Sequence, residues 1–525
     1  MKIDIVVLRR MGIIYLFLPV LIFLMGWLRI ELSVPCVLLT LVALYRGWRE
    51  DSSGEVLPVA GFDGTVLRLH VWGLLLMTCV VIVWCAICGQ GGLVVQKFDW
   101  CARNALFRDL ITHRWPVMYP QTDGMLSYYV GHWLPAGWVG GLVLRFGGTE
   151  EIAWRIGYWV LFAWTALGVL LTWLVLLVAL RVNGSVGGLC AFMAVFVLFG
   201  GMDVIGYTFR QIELWMAGIS ASKPLWVNMD GHWSHRAVLH WGRGFQFSSM
   251  TTLLSWVFNQ TVAPWLATAL VAVDRRIDCL GLYLFPLLVC APFPFAGLAS
   301  VLLIVWLVGI FRSSRPARAF CSAFSVVNVL SFCSVAIPSA LYLTTNMNSG
   351  TIDLLYTWDL ITPFKYSLFL MLEIGFFVLY LRKSESRNPW FIACLVVLVT
   401  FPCIYIGRSR DFGMRSTIPP LFLLCVWVVR ELLVSKRGRW IWVVLAIGAV
   451  GPICSMVATV QQTHDAWGTT VKKRSMYKIW PDFWRLRDRG TYDRKREDLE
   501  KIRKWYVYYG QHPSESFFFK YCARR

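Results

Sequence analysis

Met11-Gly-Ile-Ile-Tyr-Leu-Phe-Leu-Pro-Val-Leu-Ile-Phe-Leu-Met-Gly-Trp-Leu28 runs from its first residue to its last without a charge. A helix of that length crosses most of a bilayer's hydrocarbon core, where ~20 apolar residues are needed. It is long enough to be read as a retained first span rather than a removed signal segment. Working outward, about fourteen such stretches follow one another to the neighbourhood of Val460. They fall near 11–28, 32–45, 69–89, 126–146, 154–180, 187–206, 251–272, 279–293, 294–311, 319–343, 366–381, 390–407, 416–434 and 440–460. In lipid each backbone N–H and C=O has to be satisfied within its own segment, so these stretches are read as helices. Pro292-Phe-Pro294 reads as a tight turn between two short ones.

The totals agree. The chain has 525 residues, 58% of them hydrophobic, and a mean hydropathy of +0.60. That is far too apolar for a soluble protein. The 28 Trp, 19 Tyr and 33 Phe suit the headgroup belts that amphipathic rings favour. A formal charge of +20 fits basic cytoplasmic loops and sites for anionic lipid or phosphate, and no nucleic-acid module is recognisable. Cysteines such as Cys36, Cys79, Cys85, Cys190, Cys290 and Cys394 lie in apolar runs and read as small hydrophobes. The predicted fold is all-α: a polytopic transmembrane bundle of about 13 spans, with interfacial helices in the first large extracytoplasmic loop. Residues 1–68 form an N-terminal hairpin and loop, 69–460 the core, and 461–525 a basic tail.

Charge orients this ladder. Lys2, Arg9, Arg10, Arg46 and Arg49 place the N-terminus and the second loop inside. Asp274-Arg-Arg-Ile-Asp278, Arg312 to Arg318, Arg382 to Arg387 and Lys436-Arg-Gly-Arg439 are separated by paired spans and take the same side. Asp99 and segments 207–250, 344–365 and 407–416 then lie outside. Three full crossings at 126–146, 154–180 and 187–206 would break this pattern, so either one of them is re-entrant or split, which is favoured, or the charge preference fails there. By the same count the tail emerges outside, whereas Lys472-Lys-Arg474 argues for inside.

Polar residues concentrate in the loops. Gln96 to Pro116 is the richest stretch, and as a helix it carries Trp100, Phe107 and Ile111 on one stripe. Asp99, Arg103, Leu106, Leu110 and His113 form another, with Asp109 four residues before His113. An acid at the membrane edge is commonly functional, and the alternative is that Asp99 simply pairs with Arg103. Asp203 ends a span, followed by Arg210 and Glu213. The segment Asp230 to His240 holds His232, His235 and His240 without a clean ligand spacing, so loop histidines are favoured over a metal site. Gly407-Arg-Ser-Arg-Asp-Phe-Gly-Met-Arg415 puts three arginines on a face where positive charge is not expected. Holding a phosphate is one reason for that, since Arg offers paired donors; the other is that these are plain cytoplasmic anchors. Asn259-Gln260 with Pro264 fits a kinked helix bordering a cavity. A phosphate-binding Walker loop, a dinucleotide glycine fingerprint and a nucleophile elbow are all missing, which disfavours a nucleotide-driven pump or a serine hydrolase.

Phe98-Asp99-Trp100 after an early span, the long polar loop, Leu126-Ser-Tyr-Tyr-Val-Gly-His-Trp-Leu-Pro135 and Arg155 together resemble the GT-C superfamily. These are polytopic glycosyltransferases that use polyprenyl-linked donors, and the similarity is greatest to bacterial aminoarabinose and protein mannosyltransferases. Asp99 stands alone where relatives often carry an acidic pair, an extra hairpin precedes the core, and the Trp-Trp-Asp signature of oligosaccharyltransferases is missing. The resemblance implies inverting transfer on the extracytoplasmic face of a bacterial inner membrane, without metal or cofactor. Asp99 is then the general base, and Arg103, Arg108, Arg410 and Arg415 are cations for the donor phosphate. Asp109, His113, Tyr128, Asp203, His232 and Asp411 become substrate-binding candidates. The partners are a polyprenyl-phosphate sugar, a glycan, lipid or protein acceptor, and membrane lipid. A polysaccharide polymerase, a lipid-linked-sugar flippase and a secondary transporter are the rival readings.

Overall fold

A computed structural model describes residues 2–49, 55–62, 64–97, 99–119, 124–182, 184–218, 245–346, 352–353, 362–406, 411–434, 438, 440–469, 510–511 and 516–524. The described residues are 78% helix and 4% strand. Among the described residues, nine helices are long and apolar enough to cross a membrane, or ten with one bent pair. This is a multi-pass architecture.

The first two helices, α1 (Ile5–Trp27) and α2 (Ile30–Trp48), form the N-terminal hairpin. The side chain of Asp4 accepts from the Val6 amide (2.8 Å) and starts α1. The second helix extends the 32–45 window by a few residues to 19. Much of its surface is open: Ile30, Val34, Leu38, Leu41 and Tyr45 are all exposed, as suits a face turned to lipid. Next come α3 (Val71–Ile87), α4 (Trp100–Thr112), α5 (Leu134–Arg145), α6 (Glu150–Ala179), α7 (Val186–Leu198) and α8 (Asp203–Met216). The bent pair is α9 (Met250–Trp256) and α10 (Val262–Asp274), whose axes differ by 113° across a short turn at Phe258–Gln260. Later come α11 (Pro292–Arg312), α12 (Ile418–Leu433) and α13 (Val450–Thr469), with spans Pro316–Leu343 and Thr362–Glu385 between the first two of these.

Buried ion pairs tie one end together. Arg9 pairs with Asp274 (3.0 Å) and donates to the Gly47 carbonyl (3.0 Å), to which Arg276 also donates (2.8 Å). Removing one member of such a buried pair costs ~3–5 kcal/mol, so these contacts fix α1, α2 and α10 at a common level. Arg430 bridges Glu385 and Glu431 and donates to the Gly61 carbonyl (3.2 Å), while Trp390 and Trp427 donate to the carbonyls of Pro58 and Ala60. Segment 55–62 therefore ties both networks into one basic end. The opposite, distal end holds Leu28 and the start of α6. Residues 516–524 return there: Arg29 donates to the Ala523 carbonyl (3.0 Å), and Phe518 is fully buried against Tyr342. The described part of the tail thus packs on the core rather than standing apart from it.

Among the described residues, several apolar runs stop part-way. His132 bonds Thr165 (3.0 Å), fifteen residues into the 30-residue α6, or ~22 Å from its distal start. The 126–146 stretch therefore dips from the distal end to mid-depth and returns as the 12-residue α5; it is the incomplete crossing. Gly131 lies against Val289 and Cys290, where the helical run Ile277–Cys290 itself ends. Beside these breaks runs an aromatic column: Trp84 stacks with Trp173 (5.7 Å) and Trp265 (6.2 Å), and Trp265 with Phe422 (6.2 Å). Cys85-Ala-Ile-Cys88 has the spacing of a redox pair, but both cysteines are free and buried in this core.

Helix α4 departs from expectation too. Trp100, Phe107 and Ile111 are buried, but so are Arg103, Leu106 and Leu110 on the other stripe. It is an internal helix held by α5 and α6, which explains an amphipathic pattern too blurred for one lying on a surface.

Candidate functional site

The chain leaves α3 level with Phe162, part-way along α6, and enters α4 through Asp99, whose backbone is already helical and whose side chain makes no capping bond. That carboxylate stays 42% exposed, with Arg103 Nη2 at 3.5 Å. Arg103 is buried, with its guanidinium 5.7 Å from the centre of the Phe258 ring. Trp100 stacks on the same ring (4.6 Å) and donates to the Ser255 carbonyl (2.9 Å). His132 and Trp133 meet Phe258 edge-on at 5.2 and 5.7 Å. The start of α4, the mid-depth turn before α5 and the bend between α9 and α10 therefore converge on one phenyl ring.

Beside it lies a polar knot around Tyr129. Arg415 Nη1 donates to the Tyr129 hydroxyl (2.6 Å), Gln260 Nε2 donates to it as well (2.9 Å), and the Tyr128 hydroxyl is 2.5 Å away. Arg415 Nη2 pairs with Asp411 at 2.7 Å. The short helix Asp411–Ser416 that carries both is pressed on α11, where a Cβ at Gly297 would stand 1.8 Å from the Ser416 carbonyl. Only glycine permits that approach. Asp99 lies within electrostatic reach of Arg415, and Arg103 within reach of Tyr129.

Polar atoms with no hydrogen-bond partner among the described residues gather here. They are both amide atoms of Asn259, Oε1 of Gln260, Nη1 of Arg103 and Nε of Arg415. Asn259 and Gln260 are each 1% exposed. Buried polar groups are nearly always paired, so a local concentration of unpaired ones marks a place built for a polar guest.

Comparison with protein-family models, with curated proteins and with solved structures finds no match to this chain.

The geometry sorts the sequence candidates. Asp99, Arg103, Tyr128, Asp411 and Arg415 come together. Arg108 does not: it faces the other side of α4 and pairs with Glu150 at 3.0 Å, because five residues of helix turn it well away from Arg103. Asp109 and His113 face each other (3.8 Å) on α4, with Asp109 ten residues and ~15 Å along the axis from Asp99, too far to share its reacting atoms. Asp203 is buried at the start of α8 near Gly451, on a different set of helices. Arg410 and His232 lie outside the described residues, as does the whole segment 230–240. Among the described residues no three His, Cys, Asp or Glu stand close enough to hold a metal ion.

Two participants escaped the sequence reading. Tyr129 sits inside the quoted aromatic segment, but nothing in its spacing singles it out from Tyr128. Lys97 precedes Asp99 by two residues and donates from Nζ to Thr459 on α13 (2.8 Å). Burial lowers its pKa from 10.5 to about 8, with nearby Cys88 opposing. The ammonium is thus a marginally retained charge beside the entrance to α4.

Proposed function

We propose that this protein is a membrane glycosyltransferase of GT-C type. It moves a sugar from a polyprenyl-phosphate donor to an acceptor hydroxyl on a glycan, lipid or protein, with inversion at the anomeric carbon. The basic end is cytoplasmic by the positive-inside preference, so the site, part-way up the bundle, is reached from the distal, extracytoplasmic side of a bacterial inner membrane.

The observation that carries this reading is the shared location of an accessible carboxylate, Asp99, and two buried guanidinium groups, Arg103 and Arg415. Inverting transfer calls for those two functions. The acceptor hydroxyl attacks the anomeric carbon and gives its proton to Asp99. The new C–O bond forms as the bond to the phosphate oxygen breaks, and the phosphate leaves with that electron pair. Fixed cations in a water-poor site stabilise the leaving charge without reorganising. Arg103 and Arg415 supply them, and Asp411 and Tyr129 hold the second in place. The apolar flanks of the bundle carry the isoprenoid. No cofactor, metal or nucleic acid enters this scheme.

The test is Asp99→Asn, purified and assayed with a panel of polyprenyl-phosphate sugars for donor consumption and product. Transfer should fall ~10²–10⁴-fold while the protein folds and binds donor as before. Near-normal turnover would remove Asp99 from the role. Lipid movement across vesicles with no donor consumed would favour a flippase.

A further inference from the structure

The proposed chemistry uses charged groups, but the bend between α9 and α10 contributes neutral ones. Asn259 lies at its centre, 1% exposed, with neither its amide nitrogen nor its amide oxygen hydrogen-bonded among the described residues. Gln260 is equally buried; its nitrogen serves the Tyr129 hydroxyl and its oxygen is unpaired. A bend needs no amide for its own sake. The Phe258–Gln260 turn is held by backbone bonds, Gln260 N to the Val257 carbonyl (2.8 Å) and Thr261 N to the Phe258 carbonyl (3.2 Å), and by the Thr261 hydroxyl donating to Val257 (2.9 Å). Two adjacent buried amides with spare hydrogen-bonding capacity therefore destabilise the ligand-free protein without shaping it.

We infer that Asn259 and Gln260 form a hydrogen-bonding subsite that reads hydroxyl groups of the sugar attached to the donor phosphate. This rests on the glycosyltransferase reading and adds the residues that would set sugar preference. The chemistry matches. A carboxamide offers two donors and an acceptor, and a sugar hydroxyl both donates and accepts. The amides stand next to Phe258 in sequence, and Gln260 shares the Tyr129 oxygen with Arg415. A phosphate held by Arg415 would leave its sugar in that neighbourhood. A site built to bond a hydroxyl also rejects a ligand that lacks it, because its own groups are then stranded.

The experiment measures affinity of wild-type protein, Asn259→Leu and Asn259→Ala in nanodiscs for two kinds of probe. One is decaprenyl phosphate; the other is a set of decaprenyl-phosphate pentoses and hexoses. Wild type should bind at least one sugar-bearing lipid ~10-fold more tightly than the bare phosphate lipid. Both variants should lose that preference while their affinity for decaprenyl phosphate is unchanged. Without ligand, Asn259→Leu should melt at or above the wild-type temperature, since a near-isosteric apolar group replaces a stranded amide. An amide with a structural role would instead give a lower melting temperature, and that result overturns the inference. So does a sugar preference that survives in both variants, or a variant that weakens both probes alike. If wild type binds decaprenyl phosphate but does not discriminate among sugars, the subsite fails and the phosphate site stands. If it binds neither probe, both fail.

Discussion

Lys97→Met isolates a buried charge. The ammonium of Lys97 is held by Thr459 on α13, and burial lowers its pKa from 10.5 to about 8. Unfolded chains keep that proton up to pH 10.5, whereas the folded protein releases it near pH 8. Between those values the unfolded state binds more protons, so stability rises with pH across the window. Below pH 8 both states are protonated and the contribution is a constant penalty, at most ~3 kcal/mol for a gap of this size. For a chain this long such a penalty amounts to ~3 °C in melting temperature. Melting of wild type and Lys97→Met should be followed by intrinsic fluorescence from pH 7 to pH 10.5 in one detergent. Tyrosines and other lysines titrate in both proteins, so the difference between the curves reports Lys97 alone. The variant should be the more stable below pH 8, and the gap should close as pH rises to 10.5. Parallel curves would refute the idea that Lys97 carries its charge at a cost. Retaining that cost makes sense beside Asp99 if the charge helps attract a phosphate, so donor affinity in the wild type should also decline above pH 8.

Two further substitutions test the phosphate grip. Arg415→Lys keeps a charge but cannot serve Asp411 and Tyr129 together, so donor affinity should drop by ~10-fold or more; an unchanged dissociation constant would exclude Arg415 as a phosphate ligand. Arg108→Ala removes a half-exposed pair with Glu150 and should alter stability by less than ~1 kcal/mol, with donor affinity untouched; a large loss of binding would return Arg108 to the site.

How much was legible depended on which force recorded itself in the sequence. The hydrophobic requirement of lipid is written in every span, and α1, α2, α6 and α11 fall close to their predicted windows. Charge asymmetry marked the basic end, where Arg9 pairs with Asp274 and Arg430 bonds to the Gly61 carbonyl in segment 55–62. Depth left no such record. An apolar run that turns back at mid-membrane has the same composition as one that crosses, so 126–146 reads as a span although its helix is only Leu134–Arg145. For the same reason Arg108 and Arg103 look equivalent in a list, and only the helical phase of α4 separates them. Asp99 and Arg415 were legible as charges in loops; that Arg103 and Arg415 share Tyr129 as a neighbour was not, because segments far apart in sequence bring them there.

Those breaks give the site its logic. In hydrocarbon a straight helix satisfies its own backbone and offers a ligand no polar group, whereas a broken one exposes polar groups that must be satisfied by neighbours. Here the turn at Gly131–Trp133, the end of the run at Cys290 and the bend at Phe258–Gln260 lie close together at mid-depth, and each helps to support the others. His132 spans from the first to α6, Phe258 is ringed by residues of two other segments, and Tyr129 collects donors from Gln260 in the bend and from Arg415. Concentrating the irregular backbone in one place confines its cost and gathers Arg103, Asn259, Gln260 and Arg415, with Asp99 beside them, where the proposed donor would bind. The arrangement ties stability to function in a measurable direction: variants that make this region apolar should tighten the ligand-free fold while weakening its hold on a phosphate-linked sugar.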